Sequence, residues 1–96
     1  MKMTSIDRLL LMLTGVARVA VDYRKPTQRD LETVTASEID VYRREGQFAE
    51  GSMGPKVEAA IRFLERGGDE VVICRPEALV DAFEGKAGTV IVREES

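Results

Sequence analysis

The chemistry open to this sequence is concentrated in residues 51–56, which read Gly51, Ser52, Met53, Gly54, Pro55 and Lys56 and directly precede an amphipathic run. Glycines at 51 and 54 permit close backbone approach and dihedrals closed to other residues. Pro55 is pre-set for helix entry. The amides around it therefore belong to a helix start, where unpaired N–H groups and the macrodipole favour an anion. Lys56 puts a full positive charge in that first turn, where a cation is otherwise mildly disfavoured, and a negative group between them would reconcile the two. Spacing alone fits an ordinary glycine loop, a proline-started helix and a surface lysine at least as well. The loop is not a Walker A sequence, because Gly-x-x-Gly-x-Lys lacks the longer glycine spacing and the Gly-Lys-Ser/Thr ending. Nor is it a dinucleotide fingerprint, since no strand leads straight into it.

Other chemistries are removed by composition. The chain has no histidine, so histidine-paired nucleophiles and histidine-based zinc or iron sites are absent. Its single cysteine, Cys74, forbids an internal disulfide and most metal frameworks. In the run Val71-Val-Ile-Cys74 it reads as a small buried hydrophobe. No metal site is expected, and any reaction must run on lysine, carboxylates, hydroxyls and backbone amides. A net charge of −3 with scattered basic residues lacks the footprint of a nucleic-acid binder. Lys2 and Arg8 before an apolar run, with small residues at 16–20, resemble a signal peptide. Asp7 in the charged flank, the shortness of the run and Arg18 near the would-be cleavage region argue instead for a cytoplasmic protein. No stretch approaches the ~20 apolar residues that a bilayer span needs.

The elements that must position the loop follow from patterning. With 44% apolar and 32% charged residues in 96, one small globular domain over 1–96 is expected. Residues 8–13, apolar from Leu9 to Leu13, are expected as a strand buried on both faces, and residues 16–21 read as a second extended segment. Thr35 and Glu38 make a capping-box pattern for a helix over 36–45, stopped by Gly46. Val57, Ala60, Ile61 and Leu64 fall on one stripe of a helix over 55–66, ended by Gly67-Gly68. A strand over 70–74, a helix over 76–83 and a strand over 89–92 complete the order. Strands alternating with helices predict an α/β fold, a layered sandwich with a small, largely parallel sheet. Its expected core is Leu9, Leu11, Leu13, Val57, Ile61, Leu64, Val72 and Ile73.

The stretch from Phe48 to Phe63, around Gly51-Ser-Met-Gly-Pro-Lys56, closely resembles the signature near the C-terminus of carbamate kinases, within the amino acid kinase superfamily. Residues 11–16, Arg24-Lys-Pro26, Thr33-Val-Thr35, Gly67-Gly68, Val71-Val-Ile73, Ala78-Leu79 and Gly85-Lys-Ala-Gly-Thr89 are similar to the family in the same order, so the resemblance covers about residues 8–92. It implies a sheet like the C-terminal part of the amino acid kinase fold and a site for ATP or ADP, with Mg2+ carried by the nucleotide. Lys56 would contact the phosphates, Ser52, Met53, Gly54 and Pro55 would lie near the nucleotide, and Thr14 and Val16 would line the adenine side. Gly15 stands where the family usually has an aspartate. The family's N-terminal part, with its glycine-rich substrate loop and a lysine–aspartate pair, has no counterpart here. The resemblance therefore implies no catalytic residues in this chain alone, and a kinase-like partner chain or a homo-oligomer to complete phosphoryl transfer to carbamate. The alternative is a non-catalytic interaction or oligomerisation module derived from the kinase fold.

Overall fold

The computed structural model describes residues 9–22, 25–48 and 53–93. Strand β1 (Leu9–Leu13) leads to a small hairpin of β2 (Ala20–Val21) and β3 (Arg29–Asp30). Strand β4 (Thr33–Thr35) runs into α1 (Ala36–Arg44), followed by α2 (Met53–Glu65) and β5 (Glu70–Cys74). A 3-10 turn (Pro76–Ala78), α3 (Leu79–Phe83) and β6 (Thr89–Val92) finish the chain.

The four-stranded sheet has the order β1-β5-β6-β4. β1 pairs parallel with β5, from Leu9 opposite Glu70 to Leu13 opposite Cys74. β4 pairs parallel with β6, while β5 and β6 are antiparallel. The expected α/β fold with a largely parallel sheet is therefore the one observed. α1 and α2 cover one face, and Val57, Ala60, Ile61 and Leu64 of α2 are all buried there, as their helical spacing requires. β5 is sealed on both faces, with Val71, Val72, Ile73 and Cys74 each at most 2% exposed. Burial pushes the Cys74 thiol pKa upward, so it stays protonated and inert.

β1 departs from expectation. Only Leu10 and Met12 pack on the core, while Leu9, Leu11 and Leu13 are 37%, 36% and 49% exposed. The cause is position: β1 is an edge strand, and on its far face the short α3 covers Val72 and Cys74 instead. The extended segment expected over 16–21 shrinks to Ala20–Val21, in the hairpin rather than the main sheet. β4, unanticipated, ends at the N-cap of α1. Thr35 accepts from the Glu38 N–H at 3.2 Å, and Glu38 Oε1 accepts from the Thr35 N–H at 2.9 Å. Gly46, at φ 78°, closes that helix as expected.

A hairpin of two residue pairs cannot stand alone, and a buried hydroxyl holds its base. Thr89, fully buried, accepts from the Val19 N–H at 2.9 Å and donates to the Leu31 carbonyl at 2.6 Å. The Leu31 N–H closes the ring on the Val19 carbonyl at 2.7 Å. Gly88 makes this placement possible. Its φ is 76°, and a Cβ there would sit 2.7 Å from the Ile73 carbonyl oxygen.

Near the tip, Asp22 adopts φ 53°, unusual for a residue with a side chain. Hydrogen bonds from Thr27 first, and then Gln47, hold its carboxyl pKa below the usual carboxylate range. A depressed folded pKa gives stabilisation that is present above the unfolded pKa and lost as pH falls through the folded value.

Thr89→Val keeps the side-chain volume but strands a buried N–H and a buried carbonyl, and should cost about 1–3 kcal/mol in urea unfolding, whereas Thr89→Ser should retain most of it. Stability should decline as pH drops below about 4, and Asp22→Asn should flatten part of that decline in acid titrations followed by circular dichroism.

Candidate functional site

Residues 66–69 alone connect α2 to β5, so the helix must turn back and run antiparallel to that strand. At 1.5 Å per residue α2 is about 20 Å long, comparable to the about 16 Å of β5. Its N-terminal turn therefore lies at the carboxyl end of β5, which is also the carboxyl end of parallel β1. Thr14 sits at that end, its N–H donating to the Cys74 carbonyl at 2.9 Å. Open α/β sheets bind ligands beyond the carboxyl ends of their strands.

Four of the expected site residues, Met53, Gly54, Pro55 and Lys56, form the first turn of α2. The helix thus begins two residues earlier than the proline signal suggested. Met53 packs against the main core and anchors the turn, whereas Pro55 faces solvent. Lys56 is half-buried, no acidic residue lies in this first turn, and its ammonium makes no ion pair or hydrogen bond with any described residue. A cation at a helix N-terminus, with no counter-charge among the described residues, sits where negative charge is favoured. Gly51 and Ser52 lie outside the described residues.

Thr14 shares this end of the sheet. Val16 follows it in a bend and is 40% exposed. Gly15 has open space around the position of a Cβ, so packing does not demand glycine there. No group of three or more histidine, cysteine or acidic side chains is gathered to hold a metal among the described residues. No helix among them is long and apolar enough to cross a membrane.

Sequence reasoning missed Gln47 as a structural residue. Its Oε1 accepts from the Asp22 N–H at 2.7 Å, and its Nε2 donates to Asp22 Oδ1 at 3.1 Å. Thr27 donates to the other carboxylate oxygen at 2.8 Å. An aspartate opening a turn before Lys25-Pro26 was a readable signal, but its partner 25 residues away was not. A second tie joins hairpin and helix, since Arg29 donates to the Tyr42 hydroxyl at 2.6 Å and lies over its ring.

Residues 4–75 match the profile of the Amino acid kinase family. Among curated proteins, the carbamate kinase of Thermococcus kodakarensis is 49% identical over 86 residues, covering 90% of this chain and 27% of its own length. That of Thermoplasma acidophilum is 50% identical over 84 residues, covering 88% and 28%. Among solved structures, carbamate kinase from Giardia lamblia bound to AMP-PNP superposes with a TM-score of 0.86 at 42% identity, over 91% of this chain and 28% of that one. The chain belongs to the amino acid kinase family, as a carbamate-kinase-like segment spanning a little over a quarter of the length of the relatives it matches.

Proposed function

We propose that this chain is the ATP- or ADP-binding part of a carbamate-kinase-like phosphotransferase, with Mg2+ arriving on the nucleotide. The observation that carries this reading is Lys56: half-buried, without a partner among the described residues, in the first turn of a helix that opens at the strand ends. A structural relative sharing this fold binds the ATP analogue AMP-PNP. Lys56 holds the phosphates and neutralises charge that develops as the phosphoryl group leaves. Met53, Gly54 and Pro55, with Ser52 ahead of them, line the same side, and Thr14 and Val16 border the adenine. Phosphoryl transfer depends chiefly on positioning and charge stabilisation, so a site without histidine is adequate.

The acceptor side lies outside these residues, in a kinase-like partner chain, a further copy of this one or a flanking part of the same protein, in the cytoplasm. Leu9, Leu11 and Leu13 support this, being exposed on one face of an edge strand. Such an edge invites pairing, and apolar rows of this kind mark contact surfaces. The same row favours the second reading, an interaction module that has kept the fold and not the reaction. Nucleotide binding separates the two.

Calorimetry with Mg-ATP should give a saturable isotherm, and Lys56→Ala should weaken binding about ten-fold or more, as loss of a charge-assisted contact does. No heat at millimolar nucleotide, or equal binding by the variant, contradicts the reading. Light scattering over a range of concentrations should show association that Leu11→Thr reduces. A monodisperse monomer at every concentration, alone and with the N-terminal part of a carbamate kinase, would remove the partner from the account.

A further inference from the structure

The two sides of the proposed nucleotide site come from distant parts of the chain. Thr14 and Val16 belong to the segment that climbs from β1 to Asp22, and Met53 to Lys56 follow the segment that leaves α1. Among the described residues, the side-chain pair of Asp22 and Gln47 is the polar tie between those two segments. Its flanks are fixed, because Val21 and Phe48, the chain neighbours of Asp22 and Gln47, are both buried in the main core with Val57.

The geometry is that of a two-point clamp. The Asp22 N–H can meet only the oxygen of the Gln47 amide, and the Asp22 carboxylate can meet only its nitrogen, so the amide has a single orientation. Asp22 is held at φ 53°, a conformation that costs an ordinary residue energy and persists where surroundings over-determine it. Thr27 occupies the second carboxylate oxygen, and the Lys25 N–H donates to the Asp22 carbonyl at 3.0 Å. The strained residue is thus satisfied at its N–H, its carbonyl and both carboxylate oxygens.

We infer that Gln47 is a positioning residue of the nucleotide site, a role that rests on the nucleotide-binding reading above: by clamping Asp22 it fixes the spacing between the Thr14–Val16 side and the Lys56 turn. A clamp of this kind contributes preorganisation. Its loss lowers affinity even though neither residue touches the ligand.

The test is a polarity swap. Gln47→Glu sets a carboxylate against that of Asp22 and should raise the Mg-ATP Kd about ten-fold by calorimetry. It should also speed amide exchange at both Lys25 and Lys56. Adding Asp22→Asn to Gln47→Glu restores a donor facing an acceptor at every contact, Thr27 included, and should return Kd to within about two-fold of the parent. Gln47→Ala, which removes the clamp without repulsion, should lie between. A purely structural pair would change thermal stability and leave Kd alone. If the parent binds ATP and Gln47→Glu binds it equally, or the double variant fails to recover, Gln47 is not a positioning residue. A parent that binds no Mg-ATP overturns the inference together with the nucleotide reading, an outcome distinct from the first.

Discussion

The buried hydroxyl of Thr89 joins the hairpin segment to the main sheet, beneath a core that Val19, Val21 and Leu31 share with the helices and strands. The main sheet and its helices form one body; the hairpin of β2 and β3 lies outside that sheet and is too short to be stable by itself. One fully buried side chain on β6 donates to Leu31 and accepts from Val19, so both ends of the hairpin segment are tied to the sheet interior. Buried polar groups are costly unless every one is paired, and here each of the three has its partner. The arrangement is therefore specific, and it ties the chain that runs from Thr14 to Asp22 to the same sheet that α2 covers.

From that tie the architecture of the site follows. β1 and β5 are parallel and end together, and the short link after α2 returns the helix along β5, so the first turn of α2 opens where the strands finish. Lys56 stands there without a described counter-charge. Ion pairs elsewhere, such as Arg43 and Arg44 on Asp40 or Arg93 on Asp69, satisfy surface charges locally. Lys56 has no such pairing among the described residues, and the match to carbamate kinases makes a nucleotide the first ligand to try.

Much of this was legible in residue order, for identifiable reasons. The stripe of Val57, Ala60, Ile61 and Leu64, the reciprocal Thr35–Glu38 cap and the apolar run ending at Cys74 are local patterns, and local patterns survive folding. Leu9, Leu11 and Leu13 misled because an apolar run reports the need for burial and not who supplies it. Their exposure depends on the sheet order, which makes β1 an edge, and on the shortness of α3. β4 was hidden because three residues, with a helix cap at the end, carry too little period to read. The candidate site was legible as a helix start where its signal was consecutive, in the turn from Met53 to Lys56. It was illegible where the signal was a pairing, as between Asp22 and Gln47 or among Thr89, Val19 and Leu31.

The central claim is that the Lys56 turn receives the phosphates of a nucleotide. A crystal structure of the chain with AMP-PNP and Mg2+ tests it most directly. The account predicts phosphate oxygens within about 3 Å of Lys56 Nζ, with the adenine toward Thr14 and Val16. An analogue bound elsewhere, or phosphates directed away from Lys56, would contradict it.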